Sequence, residues 1–361
     1  MSSPTSAEPR LGALRYMGNK TNLLGPIRAT VERLAPEGSL VVDPMAGSHA
    51  VTFALKDRHV LRCSDAQAYS AAVGRAHVDN TSVEQLDPSL VNALREEAER
   101  YRRSERLGFM EEGFGDTYLG VAQCRDLDAW RVAVDALLPD ETDPRRWLAL
   151  TSSLTAACRA QASPGHFAQF LDPEHPRTLR LRRIDLLALQ VEISETARVR
   201  PGLAGSVSRR ASWRELVERH ADDLSAARLW YLDPPYTRDQ YSRFYHFLET
   251  LVLGDRPKLE HRARYRDDRF RSAFCSPRTA STELSELFAA ISTVSPDSAI
   301  VLSYSSRGVL SESDLAAVVN ETEALELVDW QRLRHDHSTQ GKGVLRDVEE
   351  WLVSLRPRRE T

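Results

Sequence analysis

Asp233-Pro234-Pro235-Tyr236 follows the apolar run Leu229-Trp230-Tyr231-Leu232, placing an acid, two prolines and an aromatic ring at the end of a short strand. Each proline fixes its own φ and forces the preceding residue into extended geometry, so the loop is stiff before any ligand arrives. Asp233 offers an acceptor, the carbonyls of Pro234 and Pro235 stay outside any helix, and Tyr236 presents a ring face. That set suits a planar amine, and a nucleobase with an exocyclic amino group fits it. The plainer reading is a strand ending in an Asp-Pro turn, common in α/β proteins.

Two segments near the N-terminus carry complementary chemistry. Val41-Val42-Asp43-Pro44-Met45-Ala46-Gly47-Ser48-His49-Ala50-Val51 reads as a strand over Leu40 to Val42, a turn of small residues and a helix from near Ala50. Such a unit leaves backbone N–H groups free at the helix start and lets a ligand approach the main chain. A second apolar strand, Val60 to Cys63, ends in Ser64-Asp65. Arg15-Tyr16-Met17-Gly18-Asn19-Lys20 joins an aromatic, a glycine turn and a lysine in a chain where lysine is scarce and arginine abundant. A lysine kept in that setting acts as a point charge that meets a carboxylate, or is an ordinary solvated helix-start residue.

Taken in order, Tyr16 to Lys20, Asp43 to Val51, Ser64-Asp65 and then Asp233 to Tyr236 resemble the Dam-like family of DNA adenine-N6 methyltransferases. The likeness covers roughly residues 12–80 and 205–355. It implies a Rossmann-like S-adenosylmethionine (SAM) dependent α/β sheet with a mainly helical inserted target-recognition domain, acting on double-stranded DNA. Carried over by position, Tyr16 and Lys20 would meet the methionine end of SAM, with Asp43, Ala46 and Gly47 forming the loop beneath it. Asp65 would take the ribose hydroxyls, a role common for an acid at the end of the second strand of a nucleotide-binding sheet. Asp233 and the Pro234 carbonyl would accept the two amine protons of a flipped adenine, with Pro235 stiffening the loop and Tyr236 stacking on the base.

Two positions depart from the family pattern. His49 stands where a second glycine is usual, so its β-carbon either crowds the cofactor or sits at the helix start with an ordinary φ. Ser212 replaces a carboxylate ahead of the catalytic loop; a serine can bond an adenine edge, more weakly than an ionised acceptor. Its neighbour Trp213 either stacks on the SAM adenine or is a core tryptophan. The alternative to an enzyme is a non-catalytic or partner-dependent DNA-binding subunit of a restriction-modification or defence assembly, with His49 and Ser212 marking an altered SAM pocket. Cytosine or RNA as the methyl acceptor is a nearer rival.

The 361 residues are enough for one large α/β domain with an insertion, or for two modest domains. The expected division is 1–80 and 206–361 for the methyltransferase parts and 81–205 for the helical insertion, with a disordered Ser/Pro-rich start. No apolar run approaches a bilayer span and Met1 to Arg10 lacks a signal-peptide core, so a cytoplasmic location without membrane contact is expected. The four cysteines, Cys63, Cys124, Cys158 and Cys275, are scattered, which indicates buried small side chains and neither a zinc site nor a disulfide framework. His335 and His337 share a strand face, but no further metal ligand accompanies them.

The net charge of −4 excludes a protein that coats nucleic acid indiscriminately, while leaving room for one basic face. Arginines cluster at Arg177, Arg180, Arg182 and Arg183, at Arg209 and Arg210, and at Arg262, Arg264, Arg266, Arg269 and Arg271. They either contact phosphates or pair with the chain's own acids. The stretches Gly113 to Gly120 and Pro164 to Phe170 read as surface loops presenting side chains, Gln169 among them as a type able to read adenine, or else Phe167 and Phe170 are core. The helix after the catalytic loop, Tyr241 to Glu249, carries His246, for which packing or hydrogen bonding is expected. Strands at Ala299 to Tyr304, Leu325 to Arg332 and Glu350 to Leu355 complete the pattern, the last within a closing hairpin.

Overall fold

Alternation within the apolar strands divides the molecule into layers. The structure is a computed structural model that describes residues 20–336 and 347–358. Arg15 to Asn19, with Tyr16, and His337 lie outside the described residues. Strands β1 (Leu40–Asp43), β2 (Val60–Asp65), β3 (Val207–Arg210) and β4 (Leu229–Leu232) are joined in one sheet by β7 (Ala299–Ser305), β8 (Leu325–Asp336) and β9 (Asp347–Pro357). A separate hairpin is made of β5 (Leu259–Glu260) and β6 (Tyr265–Arg266).

Successive strand residues point to opposite faces, and both faces here are covered. Val41, Leu61, Leu229, Tyr231 and Val301 enter one apolar core, and their neighbours Val42, Trp230, Leu232, Ile300 and Leu302 enter the other. Continuous apolar runs such as Leu229 to Leu232, buried throughout, follow from that double burial. The first core is shared with α1 (Leu24–Leu34), α2 (Ala50–Leu55) and α3 (Ala68–Gly74), and with helices between β2 and β3: α4 (Pro88–Arg103), α5 (Phe109–Phe114), α6 (Val121–Leu137), α7 (Pro144–Ala160) and α9 (Leu186–Thr196), α8 (Pro176–Leu181) preceding the last. α11 (Tyr241–Leu253) joins the same core, while α10 (Trp213–Leu224), α12 (Ala280–Val294) and α13 (Glu312–Glu321) cover the other face. Several helices start on side-chain caps: Asp87 ahead of Pro88 and Asp143 ahead of Pro144 accept from free first-turn amides.

The seven-stranded order is β3-β2-β1-β4-β7-β9-β8. β1 pairs in parallel with both β2 and β4, so the chain winds outward on one side and then resumes on the other. That reversal opens a crevice beyond the carboxyl ends of β1 and β4, where ligands of open α/β sheets bind. β9 runs antiparallel between β7 and β8, with Ser305 opposite Glu350.

The two stretches expected as surface loops differ in the structure. Phe114 ends α5, and Phe114, Tyr118 and Phe167 are fully buried. Their rings gather on Phe247 of α11 with centroids 5.0, 5.8 and 4.7 Å away, and the Tyr118 hydroxyl donates to the Ala263 carbonyl at 2.7 Å. Aromatic area is worth more packed against another ring than presented to water, which overrides the local glycine signal. Gln169 remains exposed.

One glycine is required by close approach. A β-carbon on Gly74 of α3 would stand 2.0 Å from Ser208 Oγ and 2.7 Å from His49 Cε1. Gly74→Ala is therefore expected to cost about 1–3 kcal/mol as an overpacked core, read as a lower midpoint in urea.

Candidate functional site

A cavity of about 280 Å³ opens at the carboxyl ends of β1, β2 and β4, and every described candidate residue borders it: Lys20, Asp43, Ala46, Gly47, Asp65, Ser212, Trp213, Asp233, Pro234, Pro235 and Tyr236. The loop from Pro44 to His49 is tied down by its own backbone. Ala46 N–H donates to the Ser64 carbonyl at 3.0 Å, and His49 N–H to the Ala46 carbonyl at 2.7 Å. Gly47 sits at φ +51 and donates its N–H to Asp65 Oδ2 at 3.0 Å, while Gln67 N–H donates to Asp65 Oδ1 at 2.8 Å. Asp65 thus clamps the glycine loop to the start of α3. Burial pushes its pKa up to about 6, against the pull of those two amides.

His49 departs from both sequence expectations. Its φ is +61, a left-handed turn that ends the loop and starts α2, and its ring turns into the core rather than toward the cavity. Nδ1 meets Thr52 Oγ1 at 3.1 Å and Nε2 the Ser70 carbonyl at 2.9 Å. Space for the ring exists because Gly74 has no side chain. Burial lowers its pKa to about 4, so the ring is neutral near pH 7. A left-handed non-glycine residue costs roughly 1–2 kcal/mol, which these contacts offset.

Asp233 and Lys20 form an ion pair of 2.9 Å, and Lys20 Nζ also lies 3.1 Å from Glu350 Oε1. The carboxylates that Lys20 meets here belong to the protein itself. Glu350, on β9 and 2% exposed, further accepts from Ser303 Oγ at 2.7 Å. It was expected only as part of a structural hairpin, and its place beside the Asp233 loop comes from the β7–β9 pairing. Burial raises the Asp233 pKa to about 6, with Lys20 lowering and Glu350 raising it, so the carboxylate is ionised at neutral pH. Lys20 also lies 5.1 Å from the Tyr236 ring centroid. Tyr236 is 8% exposed, its ring set edgewise on Tyr304 at 5.9 Å, and its carbonyl accepts from Val309 N–H at 2.7 Å.

Asp43, 3% exposed, accepts from Met45 N–H at 3.3 Å; burial and the nearby Asp233 and Asp65 hold its pKa well above the carboxylate range. The cavity lining sets Asp65, Asp233 and Glu283 alongside Lys20, Arg214 and Arg271, so it offers partners to a ligand that carries both positive and negative groups. Ser212 caps α10: its N–H and hydroxyl both donate to Glu215 Oε2 at 2.9 Å, so its proton is committed to the cap. The Ser-x-x-Glu spacing is a capping-box signature, so Ser212 both caps α10 and borders the cavity. Trp213 both borders the cavity and belongs to the core, its Nε1–H donating to Glu283 Oε1 at 2.7 Å.

His246 is buried, its Nε2 donating to the Phe167 carbonyl at 2.7 Å, and burial drops its pKa to about 3, in keeping with a packing role. The four cysteines are all buried, and none is in a disulfide. Several clustered arginines are taken by acids: Arg182 by Asp116, Arg209 by Asp223, Arg210 by Glu249 and Arg266 by Asp255 and Asp268. Among the described residues no His, Cys, Asp and Glu group is arranged to hold a metal, and no helix is long and apolar enough to cross a membrane.

Sheet order, the antiparallel β9 beside β7 and the cavity at the strand ends define a Rossmann-like methyltransferase fold. No protein-family model matches the chain. Among characterised proteins it is similar to modification methylase StsI of Streptococcus sanguinis, 23% identical over 350 residues, covering 93% of this chain and 50% of that protein. Modification methylase LlaI of Lactococcus lactis subsp. lactis is 22% identical over 373 residues, covering 96% of this chain and 56% of the relative. Type II methyltransferase M.FokI of Planomicrobium okeanokoites is 20% identical over 347 residues, covering 90% and 50%. The chain spans about half the length of the curated relatives it matches.

Proposed function

We propose that this chain is a SAM-dependent DNA methyltransferase that methylates the exocyclic N6 amine of adenine in duplex DNA. The observation that carries the reading is a shared cavity: Asp233, ionised against Lys20, faces the same space as the Gly47–Asp65 loop. The names of the relatives, modification methylases and a type II methyltransferase, support DNA as the substrate. Double-stranded DNA, a restriction or defence partner and a cytoplasmic setting belong to the same proposal.

SAM, with a sulfonium, an ammonium and a carboxylate, finds both acids and bases along this cavity; when bound it would supply an electrophilic methyl group. Asp43, Ala46 and Gly47 would line its path, Asp65 would take the ribose hydroxyls, Ser212 and Trp213 would border the adenine, and Tyr16 with Lys20 would lie toward the methionine end. Asp233 would accept a hydrogen bond from one N–H of the target amine and the Pro234 carbonyl a hydrogen bond from the other, and the single proton lost on methylation leaves the nitrogen after the methyl arrives. Both acceptors draw the nitrogen lone pair out of conjugation and fix its direction, while Pro235 holds the loop and Tyr236 offers its face to the ring. The base reaches this loop only when flipped from the stack, at a cost of a few kcal/mol. Rate then comes from positioning and from acceptors already in place. The non-catalytic alternative rested on His49 and Ser212; with the His49 ring turned into the core, the loop keeps its open side.

Asp65→Ala is expected to weaken SAM binding by about 10- to 100-fold in calorimetry, the loss of charged hydrogen bonds worth about 1.5–3 kcal/mol. Wild-type protein that binds no SAM would reject the proposal. Nucleoside analysis of methylated DNA distinguishes N6-methyladenine from a methylated cytosine.

A further inference from the structure

The short β5–β6 hairpin and the segment after it form a basic arm beside the cavity, and most of its arginines lack the acidic partners found elsewhere in the molecule. At its tip, His261, Arg262 and Arg264 are exposed, with His261 at φ +61 and Arg264 at φ +57. Left-handed non-glycine residues at two places in one turn cost free energy, which the arm's anchors offset. The anchors are substantial: the Ala263 carbonyl accepts from buried Tyr118, and Arg266 is gripped by Asp255 at 2.5 and 2.7 Å and by Asp268 at 2.9 Å. Downstream, Ser242 Oγ donates to the Phe270 carbonyl at 2.6 Å, and Gln240 bonds Ser272 through both amide atoms, at 2.7 and 3.0 Å.

Arg266 is neutralised, whereas among the described residues no carboxylate forms an ion pair with Arg262, Arg264, Arg269 or Arg271. Two of these side chains are held by rings instead: Arg269 lies 4.8 Å from the Tyr265 centroid and Arg262 5.3 Å from that of Phe170. Stacking fixes a guanidinium plane and leaves N–H groups for an anion; Arg269 spends one of its five, Nη1 donating to the Arg266 carbonyl at 2.7 Å. Arg243, 5.5 Å from the same Tyr265 ring, is paired with Asp239 at 3.3 Å, and the Arg269 pKa falls through burial and the repulsion of Arg271 and Arg243. An anion seated there would relieve the crowding.

Phe270 stands between two spaces. It borders the strand-end cavity together with Arg271, and a neighbouring polar cavity of about 410 Å³ together with Arg269. It is 43% exposed, a large apolar ring set between two cations. Cations that track a backbone and a ring for a base to stack on are the pattern by which proteins hold nucleic-acid strands.

We propose that residues 261–271 grip the sugar–phosphate backbone next to the methylated nucleotide, with Arg262, Arg264, Arg269 and Arg271 on phosphates and Phe270 stacked on the base beside the extruded one. This rests on the reading that the cavity acts on DNA, and it adds the surface that holds the strand. The test is fluorescence anisotropy of the whole protein on a short mixed-sequence duplex and on its single strand, over a series of salt concentrations. Losing two phosphate contacts in Arg262→Ala/Arg264→Ala should reduce the slope of log K against log salt by about 1.8, and Arg269→Gln/Arg271→Gln should do the same. The corresponding lysine double variants should restore the slope. Phe270→Ala should leave the slope in place and weaken single-strand binding about fivefold or more, the loss of one base–aromatic stack, with Phe270→Leu as the packing control. Slopes unchanged in both arginine pairs overturn the grip, and undiminished single-strand binding by Phe270→Ala overturns the stacking. Wild-type protein that binds no duplex at any salt overturns the DNA reading together with the arm, whereas salt-dependent wild-type binding with unaltered variants overturns the arm alone.

Discussion

Replacing Asp233 with alanine is expected to lower methyl transfer by about 10²- to 10³-fold, the range for losing one preorganised polar group at a reacting centre, while SAM affinity changes little. The acceptor for one amine proton is gone, and the nitrogen keeps its lone pair in conjugation. Asp233→Asn separates charge from geometry, because it retains a carbonyl acceptor but not the carboxylate. The same residue sets a pH profile. Burial raises its pKa to about 6, and the ionised form is the stronger acceptor for the amine N–H. Transfer should therefore be level above that pH and fall as pH drops through about 6. Single-turnover rates with saturating SAM, taken across pH, report the limb directly. Full activity in Asp233→Ala would remove this residue from the chemistry.

Lys20→Met is expected to be the most damaging change to stability. It leaves Asp233 and the 2% exposed Glu350 near one another without their shared cation. Breaking a buried ion pair by removing one partner costs about 3–5 kcal/mol. The sign of its pH dependence follows from the charges. Burial already raises the Asp233 pKa, and without the ammonium that carboxyl holds its proton more tightly still when folded than when unfolded, so the penalty is small in acid and grows as pH rises through its raised folded value. Urea midpoints of variant and wild type should converge in mild acid and separate at neutral and alkaline pH. The acid limb of transfer should also move upward, and adding Glu350→Gln should recover part of both effects, since the lone remaining acid is no longer opposed by a like charge. A midpoint difference independent of pH would count against the shared-cation account.

Much of the sheet was legible because its signals are local. Val41-Val42 and Leu229 to Leu232 are short apolar runs, and strands buried on both faces have that composition. The loops that end them were legible for the same reason, since proline and small residues restrict the backbone without help from distant contacts. Glu350 was not legible, because its significance depends on β9 lying beside β7, and no spacing along the chain encodes that neighbour. The capping role of Ser212 was legible for the opposite reason: its partner Glu215 is three residues away, and the pattern is local. His49 illustrates a second limit. Left-handed geometry for a histidine depends on room for its ring, and that room is created by Gly74 on another helix. Phe114, Tyr118 and Phe167 carry the same lesson, as each is drawn inward by a helix, α11, that follows it by many residues.

The Lys20–Asp233–Glu350 arrangement also imposes a schedule on biosynthesis. A ribosome releases Lys20 first and Asp233 well before Glu350, so a growing polypeptide halted short of β9 has the acidic loop but lacks the strand that flanks β7 and the acid that helps hold the lysine. Domains fold as their chain emerges, amino terminus first. Here β9, the strand that supplies Glu350, emerges after every other member of the cluster, so the lysine meets both of its acids only once that strand has been made.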